Sequence, residues 1–223
     1  MAGATKRKIR RAPGRPDVNR AVGREALLLA ARQALKTKPP GEITLHEVAS
    51  IAGVDPALIR YYFGQLSDLL AAVAVEISRD LRERMASVKG VQGSVRERLK
   101  LRVGAFLDVF HDNPHYHQIV VGYMYARDDA NAKSALKLLL QSVDDLDELI
   151  KEAVKAGEME PLDARLLHVA TAALCEFFFS AKPVLSAIFG LNVESPAFRE
   201  QYSDFIIDLI VGTARRSGSR AIR

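Results

Sequence analysis

Apolar residues at i, i+3, i+4 spacing recur almost everywhere after residue 18, while the strict alternation that marks a strand is scarce. A period near 3.6 places such side chains on one stripe of a helix, whereas a strand needs a period of two. The fold class is therefore all-α. Glycine, proline and aspartate punctuation divides the chain into about nine helices, over 18–36, 45–52, 57–63, 67–88, 94–112, 115–127, 130–156, 162–189 and 196–215. Pro183 falls inside the eighth and should kink or break it.

The first three helices are short and carry strong end signals. Leu27, Leu28, Ala31 and Leu35 form the apolar stripe of the first, which Pro39-Pro40-Gly41 stops. Thr44 and Glu47 make an S/T-x-x-E capping box, with the hydroxyl accepting from the Glu47 amide and the carboxylate reaching back to the Thr44 amide. Gly53 ends the second helix, because a left-handed backbone there costs glycine little. Asp55-Pro56 opens the third, aspartate as cap and proline where no N–H is needed. Val48, Ala49, Val54, Ile59 and Phe63 share one inward face. This is a helix-turn-helix pattern, whose second helix leaves a face free for a DNA major groove. That face holds Pro56, Ala57, Arg60 and Tyr61, with Leu58 and Tyr62 at its edge. Phenol and guanidinium donors suit phosphate oxygens, and an arginine can also fork onto guanine.

Charge distribution points the same way. The net charge is +5. Residues 1–24 hold Lys6, Arg7, Lys8, Arg10, Arg11, Arg15, Arg20 and Arg24 against Asp17, and the C-terminal end adds Arg215, Arg216, Arg220 and Arg223. Those ends together exceed the total, so the body between them is acidic. Basic ends on an acidic body suit a polyanionic partner; a solvated tail without a partner is the other reading. No apolar run approaches the roughly 18 residues of a membrane span, and the basic N-terminus lacks a secretory h-region. A cytoplasmic protein with no membrane partner is expected. Cys175, the single cysteine, cannot form an internal disulfide.

The segments GREALLLAA, ITLHEVASIAGV and LIRYYFGQLSDLL, between Gly23 and Leu70, resemble the N-terminal domain of TetR-family transcriptional regulators. The resemblance implies a homodimeric repressor that binds a palindromic operator on double-stranded DNA and is released by a small-molecule effector. It divides the chain into a basic arm (1–17), a helix-turn-helix domain (18–66), a ligand-binding and dimerisation domain (67–215) and a basic tail (216–223). By position, it implies backbone contacts from Arg24 and Thr44, base-facing places for Asp55, Pro56 and Ala57, and phosphate contacts from Tyr61 and Tyr62. Arg60 stands where the family most often has tyrosine, and Leu66 where it usually has a phosphate-binding lysine. Arg60 is a candidate replacement for that lost cation. In the arm, Gly-Arg-Pro around Arg15 resembles the core of an AT-hook, whose arginine lies in a narrow minor groove; nonspecific phosphate attraction is the alternative.

Under the same resemblance, the last two long helices form the dimer interface, and effector binding shifts the fourth helix. Candidate effector contacts are the polar groups set in apolar helices, Tyr123, His168, Cys175 and Glu176, with Phe179 from the neighbouring phenylalanine cluster; for each, a satisfied core or interface residue is the favoured alternative. Met124 and Tyr125 flank the first of these. No cofactor is implied. His111, His115 and His117 invite a metal reading, but 115 and 117 point to different sides of a helix. No phosphate loop, nucleophile elbow or H-E-x-x-H motif suggests an enzyme. The Leu66 departure leaves open a helical ligand-binding or adaptor protein with only nonspecific DNA binding.

Overall fold

The computed structural model describes residues 18–124 and 128–217. The arm with Arg15, Tyr125 and the end of the basic tail lie outside them. Ten α-helices and no strand occur among the described residues: α1 (Val18–Ala34), α2 (Leu45–Ala52), α3 (Ala57–Phe63), α4 (Leu66–Ala86), α5 (Val95–Asp112), α6 (Tyr116–Ile119), α7 (Ala130–Lys155), α8 (Ala164–Ser180), α9 (Lys182–Phe189) and α10 (Pro196–Ser217). The all-α expectation holds. Ten helices replace nine because the expected 162–189 helix divides at Ala181, where α8 and α9 meet at a 68° bend. Pro183 causes the division: within a continuous helix its ring would strike a carbonyl one turn back, but in the first turn of α9 it displaces no bond. The expected 115–127 helix also changes. After one turn of α6, the backbone widens into a π-helical segment, Val120–Met124.

Two hydrophobic cores organise these helices. One joins α1, α2 and α3 to the first part of α4, through Leu27, Val48, Ile59, Leu69 and Val73. The other lies among α5, α7, α8 and α10, around Phe106, Leu149, Phe178 and Ile206. The first core continues past α4 to Val109, Ile119, Val120 and Ala135, so α4 is packed on both sides. Arg32 ties α1 to the rest: it bonds Asp80 on α4 at 2.7 Å and Asn113 after α5 at 2.9 Å. No single helix among the described residues is long and apolar enough to cross a membrane.

Candidate nucleic-acid interface and ligand cavity

Local hydrogen bonding fixes the angle between α2 and α3. Thr44 caps α2, its Oγ1 accepting from the Glu47 N–H at 3.2 Å. The reciprocal half of the expected capping box is absent. The Glu47 carboxylate instead accepts from Lys38 Nζ at 2.8 Å, a charge-assisted bond stronger than one to a neutral amide. Gly53 takes φ 65°, and the following Val54 N–H returns to the Ala49 carbonyl, which reverses the chain. The Asp55 carboxylate then accepts the Ala57 N–H at 2.7 Å and starts α3.

With Ile59 wholly buried below, α3 turns Ala57, Arg60 and Tyr61 to solvent, and Tyr61 is 61% exposed. Pro56 and Leu58 are half-buried beside them. Tyr62 differs from its neighbour: its ring lies on α1, where a Cβ at Gly23 would come within 3.2 Å of the phenol oxygen. The two rings meet edge to face at 5.0 Å. Arg24 is exposed on α1, with its guanidinium 5.1 Å over the Phe63 ring. Thr44 is also exposed. Leu66 packs against the first core. Thus Arg24 on α1, Thr44 and Asp55 ahead of α2 and α3, and Ala57, Arg60 and Tyr61 on α3 lie open to solvent, with Tyr62 set behind them.

A second feature lies among α4, α5, the π-helical segment, α7 and α8. It is a cavity of 360 Å³ whose wall is largely apolar, including Leu81, Phe106, Phe110, Val120, Met124 and Leu139. Ser78 donates to the Ala74 carbonyl at 2.8 Å and sits 2.7 Å from the Tyr116 hydroxyl, so the tyrosine is the donor of that pair. His168 also lines the cavity. It is 7% exposed, its Nδ1 has no hydrogen-bond partner among the described residues, and its pKa is pushed down to about 4 by burial and by the nearby Arg102 charge. The imidazole is therefore neutral at physiological pH. Glu176 is at the cavity edge.

The other three candidate effector residues point elsewhere. Cys175 is sealed in the second core, where burial pushes its thiol up to about 12. Phe179 packs edge-on against Phe178 at 5.2 Å and His111 at 5.8 Å. Tyr123 rests against the first core. Single polar residues in apolar helices were too weak a signal to separate these places. The lining residues Ser78, Phe106 and Tyr116 were not singled out from sequence, because the wall draws on six elements, α6 included. Among the described residues, no group of three or more His, Cys, Asp or Glu is arranged to hold a metal.

The third feature is an uncovered apolar face on the last helices. Leu166, Val169 and Phe177 on α8 are 71%, 65% and 61% exposed, and Ile188 and Phe189 on α9 and Phe205 on α10 are similarly bare. Exposed large apolar side chains concentrated like this mark an interaction surface.

A sequence family described as tetracyclin repressor-like, C-terminal domain, matches residues 93–217. The HTH-type transcriptional regulator BetI of Rhizobium meliloti is 33% identical over 91 residues, 40% of this chain and 45% of BetI; the match spans less than half of that relative. Among solved structures, a bacterial regulatory protein of the tetR family from Rhodococcus RHA1 superposes with a TM-score of 0.67 at 15% identity, covering 86% of this chain and 96% of its own. The regulator FadR from Bacillus subtilis, in complex with stearoyl-CoA, gives 0.62 at 19% identity over 84% and 97% of the two chains. AibR, in complex with isovaleryl coenzyme A and operator DNA, gives 0.64 at 14% identity over 84% and 97%.

Proposed function

Because the chain belongs to the TetR family of transcriptional regulators, we propose that it acts in the cytoplasm as a homodimeric repressor, released from a palindromic operator by an apolar small molecule. The observation that carries this reading is the double packing of α4. Its first half, through Leu69 and Val73, packs with α1 and α3, and farther along Ser78 and Leu81 line the cavity. A ligand that displaces the second half therefore moves the helices that meet DNA.

In this reading α3 enters the major groove. Asp55, Pro56, Ala57 and Arg60 face bases or phosphates, and Arg24, Thr44, Tyr61 and Tyr62 hold the backbone. Arg15 in the arm adds a minor-groove or phosphate contact. The bare faces of α8 and α10 pair two copies, so that two recognition helices meet successive major grooves about 34–36 Å apart. His168 and Glu176 supply the polar contacts to the effector. The bound acyl-CoA ligands of FadR and AibR support an acyl compound as its class.

Selection of DNA from a random pool, followed by footprinting, tests the reading. A protected palindrome is expected, with Arg60→Ala and Tyr61→Phe each weakening binding several-fold while the dimer persists. Binding that is salt-labile and indifferent to sequence would instead favour the adaptor reading.

A further inference from the structure

A second cavity, of 270 Å³, lies beneath the 88–93 turn between α4, α5 and α7. Arg102 on α5 forms part of its wall and is only 4% exposed. Its guanidinium offers five N–H donors. Nη2 donates to the Ser142 carbonyl at 3.0 Å and lies 3.8 Å from the Met85 sulfur, while Nε and Nη1 make no hydrogen bond among the described residues.

The acids nearby are each already in contact with another cation. Asp145 is held by Arg82 at 2.7 Å and Lys89 at 3.2 Å, Glu148 by Lys89 at 2.8 Å, and Glu152 by Arg98 at 2.7 Å. Four cations thus meet three carboxylates, and the one with no acid within ion-pair distance among the described residues, Arg102, is the most deeply buried. Burial, joined by the nearby Arg82 charge and only partly offset by Asp145, pulls its pKa down to about 10, which leaves it cationic at neutral pH. A buried charge is strongly disfavoured unless it is fully compensated, and Asp145, the acid whose field reaches Arg102, is shared with Arg82 and Lys89; a charge left so beside open volume is a recognition element.

We propose that this cavity is an oxyanion subsite, in which the Nε and Nη1 donors of Arg102 hold a carboxylate or phosphate group. It adjoins the apolar cavity. Ser142 accepts from Arg102 through its carbonyl and also lines that larger space, and a void of 10 Å³ is bounded by both Arg102 and His168. The oxyanion is either the head of the effector or a free anion bound beside it; the first source rests on the ligand-responsive reading above, the second does not.

The test is calorimetric titration of the full-length protein and of Arg102→Met with inorganic phosphate, acetate, decanoate and decanol, with operator binding measured separately. At least one oxyanion should bind the native protein and bind Arg102→Met about tenfold more weakly. A decanoate preference over decanol that vanishes in Arg102→Met identifies a head group. Phosphate binding that leaves decanol affinity unchanged identifies a free anion. If no oxyanion binds, or all bind both proteins equally, the subsite is refuted, whatever the operator assay gives. Should Arg102→Met fail to fold, Arg102→Lys serves instead; it keeps the charge but loses the planar fork, and a several-fold weakening is then expected.

Discussion

The three-helix head and the bundle behind it use the same aliphatic residues to different ends. In the head, Leu27, Val48, Ile59 and Leu69 are wholly enclosed, and the exposed face of α3 is made of a small residue, an arginine and a phenol. The bundle contains an open-mouthed cavity of 360 Å³ and leaves Leu166 and Phe177 in water, with Val169 exposed at the cavity wall. The head has a closed core and offers, on α3, a surface suited to a polar partner. The bundle is incomplete, with apolar area both inside and outside that only another molecule would remove from water. A tight unit carries the reading geometry while a hollow unit carries the response, and α4 belongs to both.

Substitutions that change volume should break this contrast first. Ile59→Ala in the head is expected to cost about 2–5 kcal/mol in chemical denaturation, because a closed core cannot collapse around the gap. Ala172→Leu, which adds volume beside the cavity, should shift stability by no more than about 1 kcal/mol while abolishing decanol binding. Equal costs at the two sites would erase the distinction.

Acid should distinguish the regions next. His168 has its pKa lowered from 6.5 to about 4, so the unfolded chain binds the extra proton between those values. Its contribution is fully present above pH 6.5 and is lost as pH falls toward 4, a decline of about 3 kcal/mol. His168→Phe should flatten that part of the stability profile, as read by denaturation at stepped pH. An unchanged slope would mean the imidazole is solvated in the folded protein.

On the outer face, Phe177→Ala should weaken the dimer about thirtyfold in sedimentation, roughly 2 kcal/mol, with the head's fold unchanged. The smallest effect is at the turn. Gly53→Ala meets open space but forces a side chain into φ 65°, at a cost of about 1 kcal/mol. Operator affinity should fall with it if the α2–α3 angle matters; affinity unchanged at full occupancy would show that the head tolerates the strain.

Local signals carried most of the head. The threonine cap, the left-handed glycine and the aspartate at the start of α3 act over three or four residues, and α2 begins and ends at the expected Leu45 and Ala52. Where a signal was incomplete, a distant group decided. Lys38 took the Glu47 carboxylate that a purely local reading assigned to the Thr44 amide. Tyr61 and Tyr62 are adjacent and chemically identical, yet one projects and the other lies on Gly23, because α1 crosses behind only the second.

In the bundle, periodicity located the helices but not what they surround. His168, Cys175 and Phe179 share one apolar helix and looked alike as candidate contacts. One lines the cavity and two are sealed in the core, according to the rotation of α8 against α5, α7 and α10. Arg102 drew no notice in sequence, since a lone arginine on an amphipathic helix ordinarily reaches solvent. Sequence alone therefore determined the helical class, the turn chemistry and the basic ends, all set by forces between near neighbours in the chain. Tertiary structure decided the cavities, the unpaired guanidinium and the bare faces, because enclosed space and unmatched charge are properties of several helices packed together.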